Sequence, residues 1–293
     1  MRFSFHIFCS AAVLFAAAGA EVRAQSPSAE RGKYVFDAGG CFGCHTESGG
    51  APMAGGGALR TPFGAFYAPN ITPDPDFGIG KWSDADFIRA LREGLSPRGQ
   101  HYFPVFPYPA YTKMTTPDLL DLKAYLATIA PSKKPSRAHE VNFPYSIRAT
   151  LMPWKWLNFD AGEYKADANR DAKWNRGAYL AQALTHCGEC HTPRNMLGGL
   201  ERAQWLSGAR MPVGDLIASN LTPDKTGLAD WSTADITDAL ETGTLPQGGT
   251  LGGEMGEVIR NSTSKMRAED REAIAAYLKA LPPHPTTVTK KAK

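Results

Sequence analysis

The pentapeptide CFGCH at residues 41–45 recurs as CGECH at 187–191, and the sequence around it recurs too. Arg31-Gly32-Lys33-Tyr34 returns as Arg176-Gly177-Ala178-Tyr179. TPFGAFYAPNITPD (61–74) returns as MPVGDLIASNLTPD (211–224). KWSDADFIRALREG (81–94) returns as DWSTADITDALETG (230–243), and KMTTPDLLDLKAYL (113–126) as KMRAEDREAIAAYL (265–278). The order is kept and the offset drifts by only a few residues, as loop insertions produce. The chain is therefore a tandem duplication of one unit of roughly a hundred residues.

The first 24 residues carry one early arginine, an apolar run from about Phe3 to Ala18 and candidate cleavage sites after Ala24 (Val-Arg-Ala) or Ala20 (Ala-Gly-Ala). This pattern predicts a cleaved secretory leader and hence an exported, periplasmic chain. Nothing else is long and apolar enough to span a bilayer. The formal charge of +3 is too small to imply a nucleic-acid partner. Of the five cysteines, Cys9 leaves with the leader. The other four all belong to the two repeated motifs, so the mature chain has no spare thiol.

Each unit follows one plan. An amphipathic stretch (28–39; 173–186) leads into the motif, and a Gly/Pro-rich loop follows. A helix starts at Ser83 or Ser232, where W-S-x-A-D offers a cap and an acid in the first turn. A last helix starts near Thr116 or Ala268 with apolar residues at helical spacing. No alternating strand pattern stands out. The expected fold is mainly α: a domain over 25–131, a linker over 132–170, a second domain over 171–283 and a basic tail over 284–293. Trp154, Trp156 and Phe159 predict a packed linker that covers a domain edge.

Three chemistries use C-x-x-C. A zinc ribbon needs cysteine pairs some 15–20 residues apart, whereas these pairs lie in separate repeats. A redox dithiol belongs to a strand-to-helix turn, and the flanks here read as helix and loop. Covalent haem uses every residue of the motif: two cysteines one helical turn apart form thioethers to the porphyrin vinyl groups, and the following histidine ligates iron. Two haem c groups are expected, one on Cys41, Cys44 and His45, the other on Cys187, Cys190 and His191.

On CFGCHT, NITPD, GIGKWSDADFIRALREG, FPYPAYTKM, RGAYLAQALTHCGECHTPRN, NLTPDKTGLADWS and GGEMGEVIRNST, nearly the whole mature chain resembles the di- and trihaem cytochromes c. That family includes the cytochrome subunits of bacterial membrane-associated alcohol and sugar dehydrogenases. The resemblance implies two tandem class I-type cytochrome c domains and electron transfer. The donor would be a partner dehydrogenase and the acceptor another cytochrome or a terminal oxidase. Those relatives usually carry three haems, and this chain has motifs for two.

A thioether as sixth ligand suits a high-potential carrier. For the second haem the candidates are Met255, in what reads as a Gly-rich loop and is the position the resemblance favours, and Met266, which otherwise staples the start of the last helix. For the first haem some relatives have Met where this chain has Phe106. Met114 is the preferred candidate, with His101, Met53 and an open iron as alternatives. A carbonyl near Pro62 or Pro212 is expected to orient each proximal histidine. His139 and His284 read as surface residues, His186 as packing beside the attachment. Lys133, Lys134, Lys290, Lys291 and Lys293 read as solvated charges, with steering of an acidic redox partner as the alternative. The rival function is a dihaem enzyme, a peroxidase or a thiosulfate dehydrogenase-like protein. The latter needs a further cysteine ligand that the mature chain lacks.

Overall fold

Local signals set most helix boundaries. Ser83 and Ser232 each accept from the backbone three residues on and are held in return by Asp86 and Asp235. These capping boxes open α3 (Asp84–Glu93) and α9 (Thr233–Thr242). Both helices end on a left-handed glycine, Gly94 or Gly243. Ser28 caps α1 (Ala29–Ala38), Thr115 caps α5 (Thr116–Leu126) and Asp171 caps α7 (Ala172–Tyr179). The last helix is α11 (Ala268–Lys279). The motif helices are α2 (Cys41–His45) and α8 (Gly188–His191), and short helices α4 (Tyr108–Tyr111), α6 (Leu151–Asn158) and α10 (Gly253–Asn261) complete the set. This computed structural model describes residues 26–211 and 216–288. The expected leader, Pro212 and the lysines at 290, 291 and 293 lie outside them.

The chain is mainly helical, with two small antiparallel sheets among the described residues. β1 (Ala58–Thr61) and β2 (Gly64–Tyr67) form a hairpin that β3 (Glu140–Val141) extends, and β4 (Ala209–Arg210) pairs with β5 (Ile217–Ala218). Strands of two to four residues are too short to show alternation, which is why the sequence reads as loop there.

In each half the first helix crosses the last at a glycine. A Cβ on Gly32 of α1 would lie 1.8 Å from the Asp121 carbonyl oxygen of α5, and one on Gly177 of α7 would lie 1.9 Å from that of Ala273 in α11. The backbones touch because neither glycine has a side chain. Around the crossings Val35, Phe36, Leu119, Leu122, Leu126, Leu180, Leu184, Ile236, Ile274 and Leu278 form one continuous buried cluster shared by both halves. Each large aliphatic side chain there contributes roughly 1.5–3 kcal/mol of apolar burial.

The halves contact each other reciprocally. α4 of the first half packs on the wide helical turn Leu180–Leu184 that continues α7 toward Cys187. α10 of the second half packs on α2, and the Ser262 hydroxyl at its end donates to the Ala38 carbonyl at 2.7 Å.

The segment between the halves departs from expectation in detail. Trp154 donates its indole N–H to the Leu197 carbonyl at 2.8 Å, and Phe159 meets the Tyr108 ring edge-on at 5.2 Å. Trp156, however, is 78% exposed and covers nothing. The buried residues of α6 are Leu151 and Lys155. Lys155 donates to the Glu93 and Gly94 carbonyls at the C-terminus of α3, where a cation complements the helix dipole. His139 is not a free surface residue: it packs between Phe66 and Phe103 and accepts from the Tyr67 backbone.

Candidate functional site

The two motifs are built alike. α2 starts after Gly40, whose φ of 61° swings the chain out of α1. Cys41 and Cys44 then lie one turn apart on one side of a single turn of helix, with His45 at its end. Thr46 leaves in extended conformation, and its hydroxyl accepts from the Met53 backbone at 3.1 Å. The second motif repeats this. Thr192 leaves extended, and its hydroxyl accepts from the Leu206 backbone at 3.0 Å. Met53 and Leu206 are counterparts: both are fully buried, both have φ of 60°, and their carbonyls accept from Ile71 and Leu221. The second half thus holds leucine where the first has Met53.

The orienting carbonyls are present, and that of the first half does not lie beside Pro62. His45 Nδ1 lies 2.8 Å from the Pro69 carbonyl oxygen, and His191 Nδ1 lies 2.7 Å from that of Ser219. A carbonyl only accepts, so each Nδ1 carries the proton and each Nε2 keeps its lone pair. Burial lowers both imidazole pKa values, and the carbonyls offset part of that. Neutral rings of fixed tautomer result. The carbonyls are aimed by NITPD and NLTPD. The buried Asn70 accepts from the backbone and hydroxyl of Thr72, and its amide donates to the Ser132 and Lys134 carbonyls. Asn220 accepts likewise from Thr222 and donates to Thr226 and the His284 carbonyl. His284 is thus held through its backbone.

This geometry separates the chemistries. The four described cysteines form no disulfide. Burial pushes the Cys41 thiol up to about 12 and raises that of Cys187, the opposite of a reactive dithiol. No group of three or more His, Cys, Asp or Glu side chains gathers among the described residues as a zinc site requires. Two thiols on one turn, beside a neutral histidine with a free Nε2, fit the edge and iron of a covalently held haem in both halves.

The sixth-ligand candidates occupy different settings. Met114 (2% exposed) and Met266 (4%) are counterparts, each just before the last helix of its half, and their carbonyls accept from Arg92 and Arg271. Met255 is not in a loop. It lies half-buried in the first turn of α10, whose glycine-rich start reads as irregular in sequence. Phe106 packs among Tyr102, Tyr108 and Tyr111. The His101 ring Nδ1 is buried without a hydrogen-bond partner.

Comparison with known proteins agrees with this geometry. The profile of the Cytochrome c family matches residues 29–130. A "Diheme cytochrome c-type" protein of Cereibacter sphaeroides is 45% identical over 261 residues, covering 87% of this chain and 86% of that protein. The "Fructose dehydrogenase cytochrome subunit" of Gluconobacter japonicus is 38% identical over 279 residues, 90% of this chain and 57% of that one. The "Gluconate 2-dehydrogenase cytochrome c subunit" of Pantoea cypripedii is 36% identical over 274 residues, 90% of this chain and 62% of that one. The chain thus spans most of the first relative and only part of the other two.

Proposed function

Because this chain belongs to the c-type cytochromes, whose covalently bound haem c transfers electrons, we propose that it is a periplasmic dihaem carrier working between a dehydrogenase and a downstream cytochrome or oxidase. Two tandem class I-type cytochrome c domains, over 25–131 and 171–283, would each hold one haem. The profile match over 29–130 fits the first of these. Cys41 and Cys44 attach one group and Cys187 and Cys190 the other, with His45 and His191 as proximal ligands. The observation that carries the reading is the pair of Nδ1 contacts to Pro69 and Ser219, which leaves a free Nε2 behind a one-turn C-x-x-C in each half. Haem supplies a one-electron ferric–ferrous couple.

The chain's own residues then set two conditions. They fix each imidazole in direction, and burial favours its uncharged form. They also bring the two sites close together, since α10 leans on α2 and α4 leans on the turn before Cys187. Met255 is proposed as sixth ligand of the second haem and Met114 of the first. A dehydrogenase as donor is supported by the relatives, two of which are named as cytochrome subunits of dehydrogenases. No described helix is long and apolar enough to cross a membrane. Export rests on the leader pattern at residues 1–24.

The test is expression with the leader in a host that matures c-type cytochromes. The reading requires an intact mass equal to the chain without its leader plus two haems, and a reduced spectrum of low-spin haem c in both sites. A chain carrying one haem or none overturns it. A high-spin iron that turns over peroxide supports the rival enzyme.

A further inference from the structure

Residue 186 is a histidine in a place where the other half of the chain uses glycine. Gly40 and His186 each immediately precede the first cysteine of a motif, and each has a left-handed backbone, with φ of 61° and 39°. Glycine adopts that conformation freely, whereas a residue with a Cβ is strained there. Such strain persists only where the surroundings hold the side chain in place.

The surroundings of His186 come from both halves. Its ring meets the Tyr111 ring of α4 edge-to-face, with centroids 5.6 Å apart. The Gly39 backbone, one residue before Gly40, interacts with the same imidazole, while burial lowers its pKa. Tyr111 in turn lies within electrostatic reach of Cys41 and Cys44 on one side and of Glu189, inside the second motif, on the other. His186 also lines a cavity of about 230 Å³ together with Pro109 and Lys113 of the first half and Trp205 and Tyr277 of the second. The Tyr111–His186 ring pair thus stands between the first attachment, whose Cys41 and Cys44 lie within electrostatic reach of Tyr111, and Cys187, the residue that follows His186. At the related contact between Gly40 and α10, the nearest atom to a Cβ is that of Ser262, and no ring is involved.

We infer that His186, with Tyr111, is the bridge through which electrons pass between the two haem sites. The inference rests on the dihaem reading above. With both haems bound, the two rings would carry one electron at a time from a ferrous to a ferric site, which would exchange oxidation states. No bond in the chain forms or breaks, no proton moves, and both rings end in the state in which they began. His186 is a positioning and coupling residue, not an iron ligand.

The holoprotein tests this with His186→Gly and His186→Phe. The glycine variant matches Gly40 and removes the backbone strain, which offsets part of the packing lost with the ring. Intact mass first establishes two haems per chain, and a redox titration establishes both midpoint potentials. Pulse radiolysis with less than one reducing equivalent then follows redistribution of the electron between the haems. The expected result is a several-fold slower redistribution in His186→Gly at unchanged potentials, with most of the rate recovered in His186→Phe, which keeps a ring. Tyr111→Leu slows it in the same direction. An unchanged rate in His186→Gly, with two haems present, overturns the bridge and leaves the dihaem reading standing. Equal slowing in the Gly and Phe variants, accompanied by shifted potentials, assigns His186 to packing and also overturns it. A parent protein with a single haem removes the premise and the bridge together.

Discussion

Tyr34 and Tyr179 hold the same place in the two repeats, and each donates its hydroxyl across the boundary to a carboxylate of the other half. Tyr34 reaches Asp270 and Tyr179 reaches Asp118, themselves counterparts at the start of α11 and α5. The exchange is reciprocal, as the related packing of α4 and α10 is. A duplicated unit that keeps one mutual hydrogen bond in both directions has a contact face that matches itself.

Asp270 makes this contact pH-dependent. Burial alone would raise its pKa, but hydrogen bonds from Arg176 and Tyr34, with the Arg176 charge, outweigh that and hold it at about 2, against an ordinary 3.8. A carboxylate depressed in the folded state contributes stability that is present above its unfolded value and lost as pH falls through the folded one. The loss therefore lies between 3.8 and about 2, and it amounts to roughly 2 kcal/mol. Denaturant titrations of the holoprotein should show Asp270→Asn less stable near neutrality by on the order of 3 kcal/mol, since Arg176 loses its buried partner. The variant should also lose less than the parent on acidification. Equal acid sensitivity in the two would show that Asp270 is not the group responsible.

The crossings at Gly32 and Gly177 admit no side chain. Alanine there gains about 1 kcal/mol of intrinsic helix propensity. That gain is outweighed, because its Cβ would sit 1.8 or 1.9 Å from a backbone oxygen and the helices must separate. Gly32→Ala and Gly177→Ala should each destabilise by more than about 2 kcal/mol net, read as a lower thermal midpoint. Met53→Leu is the contrasting case. Leu206 already fills the matching position, so the change should stay within about 1.5 kcal/mol and leave the haem spectrum untouched.

Asn70 and Asn220 aim the carbonyls that hold the proximal histidines, and their amides are buried with several partners each. Replacing Asn220 with alanine strands the Thr222 backbone N–H, at about 1–3 kcal/mol for the unpaired group, and leaves the His284 carbonyl only the Thr222 hydroxyl as donor. It also frees the Ser219 carbonyl from its position. The expected outcome is full haem attachment by mass, reduced stability, and a changed midpoint potential for one haem alone. A potential unchanged at both haems would show that the turn supports the fold without tuning the iron.

Much of this arrangement is legible in sequence where the signal is local. The W-S-x-A-D caps at Ser83 and Ser232, the helices from Thr116 and Ala268, and the repeat itself depend on neighbours within a few residues. What the sequence hides depends on residues far apart. TPFG and MPVG invite a search near Pro62 for the orienting carbonyl, yet the oxygen comes from Pro69, because the buried Asn70 folds its turn back onto the segment at 132–134. Trp156 looks like a core residue by type, but the register of α6 turns Lys155 inward to meet the end of α3. Met255 reads as loop because three glycines surround it, and packing against α2 makes that stretch a helix. The left-handed backbone of His186 carries no sequence mark, except that its counterpart is glycine.

The two proposed methionine ligands stand apart in structure, and substitution separates them. Met114 shares its setting with Met266, so a merely structural role predicts similar behaviour for the pair. Met255 has no methionine counterpart in the first half, where Phe106 packs among Tyr102, Tyr108 and Tyr111. In the oxidised holoprotein, Met255→Leu should abolish the methionine–iron charge-transfer band of one haem and lower its midpoint potential, because the iron loses the ligand that favours its ferrous state. Met114→Leu should do the same at the other haem, and Met266→Leu should leave both bands intact. Each exchange nearly conserves volume, so stability should change by less than about 1.5 kcal/mol and the spectra report ligation alone. If Met114→Leu proves as silent as Met266→Leu, Met114 is a packing residue, and the first haem takes its sixth ligand from His101 or keeps an open position.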